Sequence, residues 1–201
     1  MTGADRAVRE IATRIVYWGP RGAGKTQTLT AIADALDPDS RGPLLTPSDE
    51  TGRTLFMDFL SVEMGALDGI PLRVHLVGLP GGERLGQVTL PMLRGADAFV
   101  FVADSAPERR AENRAALESL RRHLVAIGDP DCPVILQLNR RDIAGAVEVD
   151  ELVAELAPSG GGDQWFETVA TDGTGVLEAL TAAAARVVDR LSAAAEERSR
   201  A

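Results

Sequence analysis

The sequence predicts an α/β fold, a mostly parallel sheet of about six strands with helices packed on both faces. Three observations predict it. Strand-like and helix-like segments alternate along the 201 residues. The inner strand segments are continuous apolar runs rather than alternating ones, as strands covered on both faces require. The octapeptide GPRGAGKT (Gly19 to Thr26) stands between a strand and a helix, where a glycine-rich turn can present backbone amides to an anion.

The elements follow in order. RIVYWGP (14–20) reads as a strand entering a turn, and TQTLTAIADAL (26–36) as a helix with Leu29, Ile32, Ala33 and Leu36 on one face. DPDSRGPLLTPSDETGR (37–53), rich in Pro, Gly, Ser and Asp, reads as a loop, and loops of this length inside compact domains are commonly functional. TLFMDFLSVEMG and PLRVHLVGL form two strands around an MGALDG turn, followed by a short helix near 88–94 and the strand AFVFVA (98–103). A helix from about Pro107 to Ile127 carries Leu117, Leu120, Leu124 and Ile127 at helical spacing. The strand PVILQL (133–138), a helix near 149–156, a glycine-rich loop and the short strand WFETVA (165–170) come next. The last helix, from Val176 to about Glu196, aligns Leu177, Leu180, Ala184, Val187 and Leu191. Because that strand and helix complete the pattern, the loop at 158–162 is no domain boundary, and one domain over 1–201 is expected.

Composition narrows the function classes. Hydrophobic residues make up 45% and charged residues 25%, ordinary values for a soluble globular chain. The net charge of −9 argues against nucleic acid or an anionic membrane as the main partner, since both are polyanions. Cys132 is the only cysteine, so no intrachain disulfide can form, which fits a reducing cytoplasm. MTGADRAVRE is not a signal peptide, and neither a long apolar span nor a lipidation motif is present, so no direct membrane anchor is expected. Of the 21 basic residues, 20 are arginine and Lys25 is the only lysine. Arginine is broad and forked, lysine a compact charge on a narrow stem. A position kept for lysine in such a chain points to a tight anion pocket.

GPRGAGKT fits G-x-x-x-x-G-K-[ST] in its required context. The cradle runs from Gly19 through Arg21, Gly22, Ala23 and Gly24 to Lys25, Thr26 and Gln27. Its glycines let several amides face a β-phosphate, Lys25 neutralises the β- and γ-oxygens, and the Thr26 hydroxyl is a ligand for Mg²⁺. NRRD (Asn139 to Asp142) follows PVILQL at the carboxyl end of a strand, where open α/β sheets bind ligands. A carboxylate there can accept the paired N–H donors of guanine, and adenine has no such pair.

GPRGAGKT, NRRD and ETVAT, in this order and spacing, resemble the motifs of Ras-like small GTPases. RIVYWGP, RTLFMDFL, VHLVGLPG, LRGADAFVFVADS and VILQLNRRD resemble most closely the bacterial MglA-like branch, over about Val8 to Val188. The resemblance implies a three-layer P-loop NTPase of the Ras-like G-domain type, with GTP or GDP and Mg²⁺ as ligands. It implies that Thr54 meets Mg²⁺ and the γ-phosphate, that Arg53 supplies transition-state charge in cis, and that the Gly81 amide contacts the γ-phosphate. Asn139, Arg140 and Asp142 would hold guanine, closed over by Ala170 and Thr171. A Roadblock-type activating dimer, effectors docking on the switch loops, and a role in polarity or motility are implied in the same way.

The chain also departs from that pattern. In HLVGLPGGER (75–84), Gly78 takes the place of the D-x-x-G aspartate, which MglA-like proteins already lack, and Gly82 replaces the glutamine that orients attacking water. Arg21 replaces the usual P-loop glycine, and Arg21, Glu83 and Gln87 are candidates to stand in for the glutamine. A slow, partner-stimulated GTPase and a GTP-binding module with little hydrolysis both remain open, as does an adenine-nucleotide enzyme using Asp104. Asp58 in FMDFL reads as a solvent-facing strand position, His75 and His123 as structural, and the charges of RRAENRAALESLRRH as a solvated helix face.

Overall fold

The computed structural model describes residues 10–47, 57–80, 93–157 and 164–200. Six strands form one sheet: β1 (Ile11–Trp18), β2 (Asp58–Leu67), β3 (Ile70–Gly78), β4 (Ala98–Asp104), β5 (Val134–Asn139) and β6 (Trp165–Glu167). The order across the sheet is β2-β3-β1-β4-β5-β6. β2 runs antiparallel to β3 and every other pairing is parallel, so the predicted mostly parallel, six-stranded sheet is what forms.

Helices α1 (Lys25–Ala35), α2 (Arg110–Ile127), α3 (Val149–Leu156) and α4 (Val176–Arg200) cover it. Two apolar layers result. One joins Ile15, Tyr17, Leu60, Val62, Leu76, Val100 and Val102 to Leu29 and Ile32 of α1 and to Leu180 and Val187 of α4. The other joins Val16, Trp18, Phe99, Phe101 and Leu136 to Leu117, Leu120 and Leu124 of α2 and Leu152 and Leu156 of α3. β4 is buried along its whole length, which is why AFVFVAD carries no polar alternation. No helix among the described residues is long and apolar enough to cross a membrane.

Several element bounds differ from those expected. β1 begins three residues earlier, at Ile11, because Ile11 to Tyr17 pair with Leu72 to Gly78. The β2–β3 reversal is tighter than an MGALDG turn. Met64–Leu67 stay in β2, and the chain turns at Asp68 and Gly69, both with positive φ (51° and 76°), the conformation that two-residue hairpin turns use. WFETVA keeps strand form only over Trp165–Glu167. The expected loop after α1 has a 3-10 turn at Pro38–Ser40 and then lies along the outer edge of β2, with Leu45 and Phe59 exchanging both backbone bonds at 2.9 Å. α4 runs four residues past its expected end, to Arg200. Most of the expected helix near 88–94 lies outside the described residues.

Most charges on α2 are exposed, as expected, Glu112, Arg114, Glu118, Arg121 and Arg122 among them, but two of its arginines also reach α3. Arg110 pairs with Glu151 and Glu155 of α3, and Arg121 donates to the Leu156 carbonyl at 2.9 Å, so this face joins two helices. The two histidines have structural surroundings. His123 bonds back to the Ser119 carbonyl and lies against Trp18, and His75 stacks on Phe59. No group of three or more His, Cys, Asp or Glu side chains among the described residues could hold a metal.

Candidate functional site

The site lies where β1, β4 and β5 end. Gly19 follows β1 so closely beside β4 that a Cβ there would come within 2.2 Å of the Val102 carbonyl oxygen. Gly24, with φ of 104°, would drive a Cβ to 2.3 Å from Asn139 Nδ2. Both contacts are far inside van der Waals distance, so the G-x-x-x-x-G spacing marks two points where the loop must pass close to its neighbours.

Between these glycines every carbonyl has a donor. Lys25 Nζ donates to the Gly19 and Pro20 oxygens at 2.9 and 2.8 Å. Arg109 donates to the Arg21 carbonyl, Arg140 to that of Gly22 at 2.9 Å, and Asn139 Nδ2 to that of Ala23 at 2.8 Å. The Gly24 oxygen takes the first helical bond of α1, from the Thr28 amide at 2.8 Å. In a trans peptide the carbonyl and the following N–H point in opposite directions. The Arg21, Gly22 and Ala23 carbonyls, held by side chains from other elements, therefore turn the amides that follow them the opposite way, as in an anion nest. The Ala23 amide meanwhile makes a long 3.3 Å bond to the Pro20 oxygen.

Lys25 is buried, and that burial is the main reason its ammonium is lowered to about 8; Asp58 opposes the shift and Arg109 adds to it. The expectation that Asp58 faces solvent is overturned. Asp58 is only 1% exposed and accepts a hydrogen bond from Thr26 Oγ1 at 2.6 Å. Asp58 pairs directly with Gly78 across the β2–β3 ladder, and a Cβ on Gly78 would lie 3.0 Å from Asp58 Oδ2. A side chain at 78 would crowd that carboxylate, which would have to shift to make room. Alternation along DFLSV held the clue, since it places Asp58 on the same face as Leu60 and Val62, both buried.

A second pocket adjoins the loop. Gly24, Gln27, Asn139, Arg140, Asp142, Ala170 and Thr171, expected site residues from three separate stretches of sequence, come together with Ile143 around a cavity of about 320 Å³. The Asn139 amide ties these stretches to one another. Its oxygen accepts from the Ala170 amide (2.9 Å) and Thr168 Oγ1 (3.1 Å), while its nitrogen holds the Ala23 carbonyl of the glycine-rich loop. Arg53, Thr54 and Gly81, together with Gly82, Glu83 and Gln87, lie outside the described residues.

No protein-family model matches the chain. It is 38% identical to the mutual gliding-motility protein MglA of Myxococcus xanthus over 193 residues, which cover 95% of this chain and 98% of that protein. The chain belongs to the MglA family of small GTPases. As an MglA-family protein it is a GTP-binding switch with GTPase activity on a Ras-like α/β sheet. An adenine-nucleotide enzyme built on Asp104 is thereby set aside. In this MglA-family chain Asp104 points instead at arginines, lying 3.1 Å from Arg140 Nη1 and 3.5 Å from Arg109 Nε. Besides Asp58, sequence reasoning missed Asn113 of α2, fully buried, which exchanges two hydrogen bonds with the Asp104 backbone at 2.8 and 3.0 Å. Its position in an otherwise solvent-like charged helix gave no sign of this.

Proposed function

We propose that this chain binds GTP and GDP with Mg²⁺ and hydrolyses GTP slowly, stimulated by a partner. The observation that carries the reading is the contact of Thr26 with buried Asp58 at the start of α1, directly after the only lysine. A hydroxyl and a carboxylate oxygen within 2.6 Å of each other are hard ligands of the kind Mg²⁺ prefers. Thr26 and Asp58 are the residues that would hold the ion from the described part of the site, with Thr54 joining them from the loop. When bound, Mg²⁺ offsets charge on the β- and γ-phosphates. Lys25 regains full charge against the phosphates, and the loop amides orient them.

On this reading Asp142 accepts the guanine N–H pair, Arg140 lies beside the base, and Ala170 and Thr171 close the pocket. Asn139 holds the pocket and the phosphate loop together from behind. Arg53 supplies transition-state charge and the Gly81 amide contacts the γ-phosphate, as the family resemblance implies. The likeness to a gliding-motility protein supports a role in motility. A Roadblock-type activating dimer, effectors on the switch loops, a part in polarity and a cytoplasmic location belong to the same proposal and rest on the family resemblance alone. Gly82 favours a second reading, a GTP-binding module with little hydrolysis, because no side chain at 82 can orient water.

Two measurements test these readings. GDP affinity should exceed ADP affinity by orders of magnitude and fall when Mg²⁺ is chelated; comparable ADP binding would sink the guanine assignment. Single-turnover hydrolysis by the wild type and by Arg53→Ala separates the switch from the module. A wild-type rate no faster than GTP in buffer, with a candidate activating dimer present, would favour the module.

A further inference from the structure

Asp104 and Arg109 lie outside the nucleotide-binding motifs, yet both act on the phosphate loop. Asp104 ends β4 opposite Asn139 at the end of β5, is 1% exposed, and has its backbone fixed by Asn113. One carboxylate oxygen accepts from the Ala106 amide at 3.1 Å. The other has no hydrogen-bond partner among the described residues and meets two guanidiniums as ion pairs, Arg140 of the guanine motif at 3.1 Å and Arg109 of the turn before α2 at 3.5 Å. Those guanidiniums hold successive loop carbonyls, Gly22 by Arg140 and Arg21 by Arg109.

The group lines a cavity of about 430 Å³. An anion receptor is the obvious reading of such a place, but the Asp104 and Glu112 carboxylates line it as well and already pair with its guanidiniums. Arg109 contacts the Arg21 carbonyl, Asp104 and Glu112 through its three nitrogens, and Arg140 contacts Gly22 and Asp104. Guanidiniums committed to carbonyls of a loop act on the loop.

We propose that Asp104 and Arg109 are positioning residues for the nucleotide phosphates: the buried carboxylate fixes the Arg109 guanidinium on the Arg21 carbonyl, which turns the Gly22 amide toward the ligand. The inference rests on the guanine-nucleotide reading above. Arg140 has a left-handed backbone (φ 64°) that returns its side chain over the loop, and Asp104 receives it there. One carboxylate thus joins the base-side motif to the phosphate loop. Removing the Asp104 charge and removing the Arg109 guanidinium break the same link, so their effects should not multiply.

The test follows release of a fluorescent GDP analogue, chased by excess GDP with Mg²⁺, from full-length wild type, Asp104→Asn, Arg109→Gln and the double variant. Arg122→Ala on the exposed face of α2 is the control. Each single variant should release the analogue about tenfold faster, the size of losing the charge-assisted bond from Arg109 to the loop carbonyl, and the double variant no faster than the quicker single. Arg109→Gln should weaken GDP and inosine diphosphate by one common factor, since the base contacts are untouched. The control should match wild type. Singles within about twofold of wild type, or a double near the product of the singles, would overturn the proposal. If Asp104→Asn does not fold, Arg109→Gln and Arg109→Lys carry the test; lysine keeps the charge but cannot span carboxylate and carbonyl together, so it should behave like glutamine, and a wild-type rate would overturn the proposal. A wild type that does not retain GDP removes the guanine-nucleotide reading and this inference with it. A wild type that retains GDP beside variants that release it equally slowly removes this inference alone.

Discussion

Asp58 and Gly78 face each other across the β2–β3 ladder, and the carboxylate of the first lies where a side chain on the second would crowd it. The acidic group of this site therefore comes from the antiparallel strand β2, not from the end of β3, and reaches Thr26 from there. A glycine at 78 is the complement of that arrangement.

Restoring aspartate at 78 should therefore do harm. Gly78→Asp would bring two carboxylates within a few ångströms of each other in a buried space, where like charges repel strongly. We expect GDP affinity at fixed Mg²⁺ to fall by about tenfold or more, an order of magnitude set by one buried charge contact. Asp58→Ala alone should fall similarly, and Asp58→Ala with Gly78→Asp should recover part of the loss. Equal or tighter binding by the Gly78→Asp single variant would contradict this geometry.

Lys25 sets a pH dependence. In the free protein its ammonium titrates near 8, lowered chiefly by burial. Bound phosphate favours the charged form and raises that value. Below pH 8 the lysine is charged in both states and affinity is flat. Above it, binding must take up a proton, so affinity should fall by about tenfold per pH unit until the bound-state value is reached. The free protein behaves oppositely. Its folded value lies below the ordinary 10.5, so the unfolded chain holds more protons between about 8 and 10.5 and folding stability rises with pH across that window. Calorimetry of GDP binding from about pH 7 to about pH 9.5 reads the first effect, and a level profile would exclude the buried ammonium as its source.

Tyr17 carries a fully buried hydroxyl with no hydrogen-bond partner among the described residues. Burial raises its phenol, which therefore stays neutral. An unsatisfied buried hydroxyl costs about 1–3 kcal/mol, and Tyr17→Phe removes it without emptying the core. Urea denaturation of that variant should give stability equal to wild type or up to about 1 kcal/mol greater. A clear loss would mean that the hydroxyl has a partner in solution.

Asn139 is the opposite case. Its amide joins the Ala23 carbonyl, the Ala170 amide and Thr168. Asn139→Ala should leave these buried groups unpaired and cost about 2–4 kcal/mol of stability, with loss of nucleotide binding. Asn139→Asp keeps the acceptor but loses the donor to Ala23, so it should retain more stability than alanine. Denaturation midpoints of the two variants decide the order.

Much of this was legible in the sequence because local rules governed it. The alternation of helix and strand, the wholly apolar β4 and the glycine spacing of the loop each follow from short-range patterns, and the fold followed from them. The residues around the pocket beside Asn139 were legible from three short motifs. What escaped depends on strands distant in sequence becoming neighbours. Asp58 is placed 32 residues from Thr26, and nothing near DFLSV names its partner. Arg109 reaches the loop carbonyl of Arg21 from 88 residues away, and Asn113 looks like any polar residue on a charged helix.

The six held carbonyls from Gly19 to Gly24 have a consequence for the entropy of binding. Fixing a residue's backbone costs about 1–2 kcal/mol, so a slack loop of this length would charge several kcal/mol against every ligand it received. Here that cost falls on folding, once, and is met by the sheet, α1 and the arginines around it. The ligand then meets a receptor already in shape, and the affinity it shows reflects its own contacts with little deducted for ordering the protein.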